Sequence, residues 1–345
     1  MPCYSPLKGW KDDETGGIKF RRDGAKEEME VACGQCLGCR LDRSRMWAMR
    51  IVHESLMHEI TGGNCFVTLT YRDPIECTPE QLEDGYHVPV DWSLTPKHFR
   101  DFMKRLRHWV FSPNGLGREP EFDDDGLLTN GVRFYHCGEY GRHCKHGFDL
   151  DYIRCPECKL GRPHYHACLF NMSFHDLESY GSHNGELRYT SPSLERIWKY
   201  GFVDVGELNF ESAAYVARYI LKKITGPMAD DHYLSFLDDG TGVWLTPEYT
   251  TMSRRPGIGK DFYDKYRGDM FPHDHVPVPG SGVFKKVPRY YQELFAIEDP
   301  ITMEEIKALR QKFRDEHADD YTPERLMDKY KVKRAQVQLL KRTVG

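Results

Sequence analysis

Two histidines separated by one residue are the first candidates for chemistry in this sequence. His164 and His166 lie in segment 161–170, where β-rich and aromatic residues after Pro163 predict a strand. Alternate side chains of a strand share a face, so the two imidazoles project side by side. Two neutral imidazoles so placed can bind one divalent cation. The alternative is that both are ordinary histidines of the fold.

Two tyrosines and two lysines follow on a helix predicted over 212–225. Tyr215 and Tyr219 are four residues apart and share a helix face, about 5–6 Å apart at Cβ. Lys222 and Lys223 lie one turn further on. A cation can polarise a phosphodiester, a tyrosine hydroxyl can attack it, and a lysine can offset the developing charge. Together they suit transesterification of a nucleic-acid backbone; the alternative is a pair of half-buried aromatic residues.

Eleven cysteines, several in CxxC spacing, favour metal sites over disulfides. One group lies in an unusual insert over 142–160 and predicts a small structural Zn²⁺ site. Its predicted ligands, with His146 preferred to His143, are Cys144, His146, Cys155 and Cys158. A second group near the start predicts a tetrahedral thiolate Zn²⁺ site, with reduced cysteines in a packed loop as the alternative. Its members are Cys3, Cys33, Cys36 and Cys39.

The composition predicts a folded protein without a strong charge bias. The 345 residues have a hydrophobic fraction of 39% and a net charge of −5. Any nucleic-acid surface must therefore be a local patch. No apolar run approaches the ~20 residues of a membrane helix, and the first residues lack a signal-peptide layout. These features predict a cytoplasmic protein with no membrane partner.

Two basic patches are candidate DNA contacts. One lies on a helix predicted over 95–110, with a solvated helix face as the alternative. Its members are Lys104, Arg105 and Arg107. The other is a glycine-containing loop suited to phosphate contacts, with an ordinary basic turn as the alternative. Its members are Arg254, Arg255 and Lys260.

The order of the predicted elements indicates an α+β fold. From the strand over 65–71 to the helix over 212–225, the order is β-α-β-β-α-β-α. This order is typical of ferredoxin-like or RNA-recognition-like folds, in which an antiparallel sheet has helices mainly on one face. The predicted segments are a cysteine-rich start with a helix (1–60), a core carrying the insert (61–226), and a C-terminal extension with the basic loop and a helical tail (227–345).

Four motifs together resemble those of the HUH endonucleases. They are Phe66-Val-Thr-Leu-Thr-Tyr71, His136-Cys-Gly-Glu139-Tyr-Gly141, Arg162-Pro-His164-Tyr-His166 and Tyr215-Val-Ala-Arg-Tyr219-Ile-Leu-Lys-Lys223. More closely, nearly the whole chain resembles the replication initiator proteins of gokushoviruses, small single-stranded DNA bacteriophages of the microvirus family. Segments 1–4, 33–45 and 247–260 also carry this resemblance.

The resemblance implies a rolling-circle initiator that nicks one strand of viral DNA, stays joined to the 5′ phosphate through tyrosine, and rejoins the strand at termination. It implies Mg²⁺ or Mn²⁺ on His164 and His166, with Glu139 as third ligand. His136 is the fallback ligand, because the insert separates Glu139 from the histidines. The two tyrosines map onto alternating nucleophiles. The implied partners are the viral single-stranded origin and the helicase and polymerase of the host, in the host bacterial cytoplasm.

Two other classes of protein remain open. A metal-dependent hydrolase or oxygenase would use the histidine pair with Glu139, and its tyrosines would be structural. Because a hydrolase activates water, it would leave no protein–DNA adduct. A non-catalytic zinc-containing nucleic-acid-binding protein would use the sheet as a platform and would bind without cleavage in the presence of EDTA.

Overall fold

A computed structural model describes residues 3–12, 17–21, 28–153, 155, 157–183, 186–218, 223–224, 226–237, 239–277 and 284–339. Tyr219 and Lys222 lie outside the described residues. The chain divides into two compact units. One unit joins residues up to Trp47 with residues from Tyr266 onward, and the other runs from Ala48 to Lys265. Among the described helices, none combines the length and hydrophobicity needed to cross a bilayer.

The helices and strands are numbered in chain order. The strands are β1 (Leu7–Lys11), β2 (Ile18–Lys19), β3 (Glu28–Val31), β4 (Asn64–Thr70), β5 (Arg133–Tyr140), β6 (Pro163–Phe170), β7 (Glu178–His183), β8 (Glu186–Thr190), β9 (Val203–Gly206), β10 (Leu234–Phe236), β11 (Gly242–Trp244), β12 (Tyr249–Met252), β13 (His275–Pro277) and β14 (Phe284–Lys286). The helices are α1 (Leu37–Leu56), α2 (Pro79–Glu83), α3 (Pro96–Phe111), α4 (Pro192–Trp198), α5 (Phe210–Arg218), α6 (Met228–Tyr233), α7 (Lys260–Met270), α8 (Arg289–Glu298), α9 (Pro300–Glu316) and α10 (Pro323–Leu339).

An antiparallel sheet dominates the unit from Ala48 to Lys265. Its strand order, within the described residues, is β12-β5-β6-β4-β9-β8-β7. The α+β class and the succession β4-α3-β5-β6-α4-β9-α5 agree with the prediction. Helix α2, the β7–β8 hairpin and β12 are additions to the predicted succession. Strand β12 comes from the predicted C-terminal extension and pairs with β5; a run of four residues carries too little periodicity to predict.

One face of this sheet, the α3 face, is covered by α3 and α4. It presents alternate residues of the central strands, such as Val67 and Tyr165, which are fully buried. The rings of Phe99 from α3 and Trp198 from α4 lie 6.0 and 5.7 Å from the Tyr165 ring. This face contains the main apolar core. Burial of each large side chain there contributes about 1.5–3 kcal/mol to the free energy of unfolding.

The opposite face, the α5 face, carries His164 and His166. Helix α5 packs there, with Tyr215 against His166. The C-terminal half of α1 lies on the same side, because its Glu54 pairs with Arg133 of β5. Helices thus cover both faces, whereas the sequence predicts them mainly on one. In β5 and β6 the residues are buried in succession and not alternately, so both sides of these strands need cover.

The other unit contains the two ends of the chain. Strands β2, β1 and β3 form one small sheet, and β13 pairs with β14. Helices α9 and α10 are the polar helices predicted for the tail, separated by a 3₁₀ turn (Ala318–Tyr321). The rings of Tyr4 and Tyr330 lie 5.7 Å apart, and Arg314 pairs with Glu30. The sequence predicts the two ends as separate segments, but periodicity cannot reveal such long-range contacts.

Candidate active site

Glu139, His164 and His166 come together on the α5 face through the pairing of β5 with β6. The register places Glu139 opposite His164, and His166 lies two residues further along β6. The Nε2 atoms of His164 and His166 lie 2.8 and 2.9 Å from Oε1 of Glu139. Adjacent ligands of a small octahedral cation are about 3 Å apart, given bonds of about 2.1 Å. The spacing and the donor types therefore fit a divalent cation.

Each imidazole is held by a hydrogen bond at its other nitrogen. His166 Nδ1 lies 2.9 Å from the hydroxyl of Thr68, which is opposite it on β4. His164 Nδ1 lies 3.1 Å from the backbone carbonyl oxygen of Arg162. A carbonyl oxygen can only accept, so His164 donates from Nδ1, and its Nε2 is the atom that would bind a cation.

The carboxylate of Glu139 is almost fully buried, with 2% of its surface exposed. Burial acts to raise the pKa of Glu139, but His164 and His166 outweigh it and hold that pKa well below its usual range. The carboxylate is therefore ionised at neutral pH. A buried carboxylate needs positive charge beside it, which a bound cation would supply.

His136, the fallback ligand, lies on the other side of the sheet. Its ring stacks on Phe99 at 3.4 Å on the α3 face, and its Nδ1 lies 2.7 Å from the Thr251 hydroxyl. Burial lowers the pKa of His136 to about 3, so the ring is neutral. In this geometry Glu139, and not His136, accompanies the two histidines.

Tyr215 is the predicted nucleophile that the structure brings to this group. Its ring lies edge-on to His166, with 5.2 Å between centroids, and 6.3 Å from the ring of Phe66. Lys223 is exposed. Tyr219 and Lys222 lie outside the described residues.

The start of α5 positions Tyr215. Asn209 precedes the helix, and its Oδ1 accepts a hydrogen bond of 2.9 Å from Ser212 N. In return, Asn209 N donates to Ser212 Oγ at 2.9 Å. This reciprocal capping satisfies two free donors of the first turn. The sequence predicts a helix that begins at residue 212, and the structure starts it earlier, at Phe210.

The four N-terminal cysteines form a compact group in their own unit. Their sulfurs lie within 4.8 Å of one another, and those of Cys3 and Cys36 are 3.8 Å apart. A disulfide needs about 2.05 Å, whereas tetrahedral zinc with Zn–S bonds of about 2.3 Å gives about 3.8 Å. Burial opposes ionisation of Cys36, but the backbone N–H groups of Cys39 and Tyr4 outweigh it and lower the pKa of Cys36 to about 7.

The insert also assembles its predicted ligands. The ligand atoms of Cys144, His146, Cys155 and Cys158 all lie within 4.8 Å of one another. His146 Nδ1 is 3.4 Å from the sulfur of Cys155 and 3.3 Å from that of Cys158. Burial opposes ionisation of Cys155, but the backbone N–H groups of Glu157 and Cys158 and the His146 side chain lower its pKa to about 7. A thiolate is the form that binds metal.

The basic residues predicted on α3 are mostly engaged within the fold. Arg105 donates to the carbonyl oxygens of Ile197 and Trp198 at 2.7 and 3.1 Å and so caps the end of α4. Arg107 donates to the Val132 carbonyl at 3.4 Å. Lys104 remains largely exposed, 3.9 Å from Asp101. Arg105 and Arg107 thus have contacts within the fold in this geometry, and their role as DNA contacts stays a prediction.

The predicted basic loop presents two arginines to solvent. Arg254 and Arg255 are exposed. Lys260 begins α7, and its Nζ lies 2.6 Å from Oδ2 of Asp264 four residues later. Part of the charge of Lys260 is therefore compensated within the helix.

Side chains beneath this loop fix its backbone. Gly259 N donates to Oε2 of the buried Glu54 at 2.6 Å, and Arg133 donates to the same carboxylate. Arg133 Nη2 also donates to the Pro256 carbonyl at 3.0 Å, and Arg50 Nε to that of Ile258 at 2.9 Å.

The sequence did not predict Thr68 and the Arg162 carbonyl as partners of the histidines. The signal for Thr68 is a polar residue between Val67 and Leu69, within the motif Phe66–Tyr71. A backbone carbonyl leaves no signal in the residue types, because only its position matters.

The chain is a mixed α+β protein whose antiparallel sheet carries a Glu/His/His group able to hold a cation, beside a helix-borne tyrosine. A family profile described as "Replication-associated protein ORF2/G2P" matches residues 141–224, which include His164, His166 and Tyr215.

Several phage proteins are similar over most of the chain. The chain is 31% identical over 329 residues to "Replication-associated protein ORF2" of Spiroplasma virus 4, covering 90% of this chain and 86% of that protein. It is 29% identical over 304 residues to "Replication-associated protein VP4" of Bdellovibrio phage phiMH2K, covering 87% and 79%. It is 31% identical over 270 residues to "Replication-associated protein ORF4" of Chlamydia phage 1, covering 76% and 53%. No solved structure matches. The chain therefore belongs to the family of replication-associated proteins of gokushovirus-type phages.

Proposed function

We propose that the protein is a rolling-circle replication initiator of the HUH endonuclease type, which nicks single-stranded phage DNA and rejoins it. The observation that carries this proposal is the position of Tyr215. Its ring lies 5.2 Å from that of His166, beside the Glu139, His164 and His166 group. A nucleophile and a cation site on the same face of one sheet are what attack on a phosphodiester requires.

The proposed reaction is a transesterification. The phenolic oxygen of Tyr215 attacks the phosphorus, the bond to the 3′ oxygen breaks, and the 5′ phosphate stays joined to the tyrosine. The leaving 3′ oxygen gains a proton as the phenol loses one. The reverse attack by a 3′ hydroxyl restores the DNA strand, so a single site nicks and rejoins.

The proposed cation is Mg²⁺ or Mn²⁺, held by Glu139, His164 and His166. When bound, it polarises the scissile phosphate. Thr68 and the Arg162 carbonyl orient the two imidazoles, so that both Nε2 atoms point toward the Glu139 carboxylate.

The second proposed nucleophile is Tyr219, with Lys222 and Lys223 as charge-compensating groups. This part of the proposal comes from the sequence. After the first transfer Tyr215 is esterified, and a tyrosine four residues later supplies a second hydroxyl, since helical spacing would put the two Cβ atoms about 5–6 Å apart. Lys222, on the same helical stripe, is preferred to Lys223 for the charged transition state.

Two structural zinc sites complete the proposal. Each group offers four soft or borderline ligands, which would leave no position open for catalysis. The first is Cys144, His146, Cys155 and Cys158. The second is Cys3, Cys33, Cys36 and Cys39. Zinc per chain, measured on the purified protein and on serine variants of each group, tests both sites.

The proposed DNA partner is the single-stranded phage origin. Arg254 and Arg255 are the proposed backbone contacts, with Lys104 and Lys260 at the margin. Replacing these residues should weaken the salt dependence of oligonucleotide binding. The slope of log K against log salt concentration should fall in magnitude by about 0.7 for each phosphate contact removed. We also propose that the host helicase and polymerase act with the protein, inside the bacterial host.

The experiment that tests this function is incubation of the protein with origin single strand and Mn²⁺. We expect a nicked strand and a covalent protein–DNA band, both lost in EDTA. Cleavage without an adduct would indicate a metal-dependent hydrolase or oxygenase. Binding in EDTA with no cleavage would indicate a non-catalytic zinc-containing DNA-binding protein.

A further inference from the structure

The cysteine-bearing insert is the tip of the hairpin formed by β5 and β6. The strand pairing ends with Tyr140 opposite Pro163. Beyond it, Gly141 N donates to the Arg162 carbonyl at 2.9 Å, and Arg162 N donates to the His143 carbonyl at 2.7 Å. Cys144, the first insert ligand, is the next residue. The four-ligand group thus closes the same hairpin that carries Glu139 and His164.

The Arg162 carbonyl connects this closure to the cation site. The same oxygen accepts hydrogen bonds from Gly141 N at 2.9 Å and from His164 Nδ1 at 3.1 Å. The strands approach closely here, since a Cβ on Gly161 would lie 2.2 Å from the Gly141 oxygen. A shift of the hairpin end would therefore move the acceptor that orients His164.

The side chain of Arg162 also fixes this residue, through contacts with the end of β4 and the loop that follows it. Nη1 donates to the Tyr71 carbonyl at 3.0 Å, and Nη2 contacts Oδ2 of Asp73 at 2.5 Å. The group also lies 5.4 Å from the centre of the Trp92 ring. Arg162 is thus fixed on the sheet side by its side chain and on the insert side by its backbone.

We propose that zinc in the insert positions the Arg162 carbonyl and thereby raises the affinity of the Glu139, His164 and His166 group for its divalent cation. This inference rests on the proposed function in two respects: the three residues bind a cation, and the insert binds zinc. Without zinc, fewer contacts hold the two ends of the loop over 142–160 together, and bringing these ends together costs conformational entropy. The contacts between Gly141, His143 and Arg162 then open more often, and His164 loses the carbonyl that orients it.

The two histidines provide an internal control. His166 is oriented by Thr68 of β4, not by the hairpin tip. Loss of insert zinc should therefore disturb His164 and leave the Nδ1 environment of His166 nearly unchanged. A general loss of structure would disturb both.

The test measures cation binding, not activity, on the full-length protein. The insert variant is Cys155→Ser with Cys158→Ser, and the matched control is Cys33→Ser with Cys36→Ser, which removes ligands in the other unit. Zinc per chain is determined for each, and Mn²⁺ is titrated by electron paramagnetic resonance. We expect Mn²⁺ binding at least about tenfold weaker in the insert variant and unchanged in the control. His146→Ala, which keeps every thiol, is measured alongside so that the result does not depend on the folding of one variant.

The ring nitrogens supply the second readout, by nuclear magnetic resonance of the histidine imidazoles. We expect the His164 signals to shift on zinc loss and the His166 signals to stay. Unchanged Mn²⁺ affinity after loss of insert zinc, equal weakening in both cysteine variants, or unchanged zinc in the insert variant would each overturn the inference. Failure of the proposed function is distinct: wild-type protein would then show no Mn²⁺ binding that depends on His164 and His166.

Discussion

The two faces of the central sheet belong to the same strands but hold their polar groups in opposite ways. On the α3 face, polar side chains are spread through an aromatic core, and some contact one another; the hydroxyls of Tyr71 and Tyr165 lie 2.9 Å apart. On the α5 face, three groups able to bind a cation converge on one point: the Nε2 atoms of both histidines face Oε1 of Glu139, and their Nδ1 atoms are held by Thr68 and the Arg162 carbonyl.

One strand can contribute to both stability and chemistry. In β6, Tyr165 faces the core while its neighbours His164 and His166 face α5. Because successive side chains of a strand point to opposite faces, neighbouring residues of β6 have these two different roles. Changes on the α5 face should therefore affect cation binding and nicking, and changes on the α3 face should affect the free energy of unfolding.

The largest expected effect comes from removing both histidines of the α5 face. His164→Ala with His166→Ala should lower nicking by about a thousandfold or more, because the lost polarisation of the phosphate corresponds to about 4 kcal/mol. Nicking of an origin oligonucleotide in Mn²⁺ measures it, and urea unfolding without added Mn²⁺ measures separately the stability lost when the buried Glu139 carboxylate loses its two partners. If this variant still nicked DNA in the presence of chelator, the cation would have no role in nicking.

The reciprocal change on the α3 face is Phe102→Ala. Phe102 is fully buried, so the cavity should lower the free energy of unfolding by about 3–5 kcal/mol. Urea denaturation measures this, and Mn²⁺ titration of the folded protein should give the wild-type affinity. A cation affinity that fell in step with stability would show that the two faces are not separate.

A smaller effect is expected at Thr68, which borders the site without contacting the cation. Thr68→Val keeps the shape but removes the partner of His166 Nδ1, and should weaken Mn²⁺ binding about tenfold. Thr68→Ser keeps the hydroxyl and should bind nearly as wild type. Equal affinities in the valine and serine variants would exclude an orienting role for the hydroxyl.

The last expected effect, small near neutral pH, is a pH dependence of stability from His136 on the α3 face. Burial lowers its pKa from 6.5 to about 3, so between these values the unfolded chain binds a proton that the folded protein does not. Wild-type stability should therefore fall as pH drops from about 6.5 towards 3, by up to about 1.4 kcal/mol per pH unit from this group. His136→Leu should have a shallower slope in urea unfolding across that range. Identical slopes would mean that His136 is not buried as a neutral ring.

Much of the site could be predicted from local spacing. The alternation of His164 and His166, the tyrosine spacing and the cysteine pairs depend only on short-range geometry, and the structure assembles the cysteine groups as predicted. The strand register that places Glu139 opposite His164 is harder to predict, because the insert separates the two residues in the sequence. The structure has this register because the insert forms the tip of the β5–β6 hairpin, and the length of a tip does not change the pairing of the two strands.

Other features depend on contacts that residue spacing does not encode. Arg105 and Arg107 look like a basic surface on a helix, but they bind carbonyls of neighbouring elements. Strand β12 joins the sheet from a segment with little periodicity, and the two chain ends form one unit. Each of these outcomes is set by long-range packing, which overrides local pattern.

The most direct test of the central claim is to locate the covalent adduct. The protein is incubated with origin single strand and Mn²⁺, digested, and examined by mass spectrometry. Trypsin cleaves after Arg218 and so separates Tyr215 from Tyr219. The double variant Tyr215→Phe with Tyr219→Phe is compared with Tyr321→Phe, a control in the other unit. The account predicts nucleotide on a Tyr215 or Tyr219 peptide in the wild type and the control, and none in the double variant. An adduct at normal yield in the double variant would contradict it.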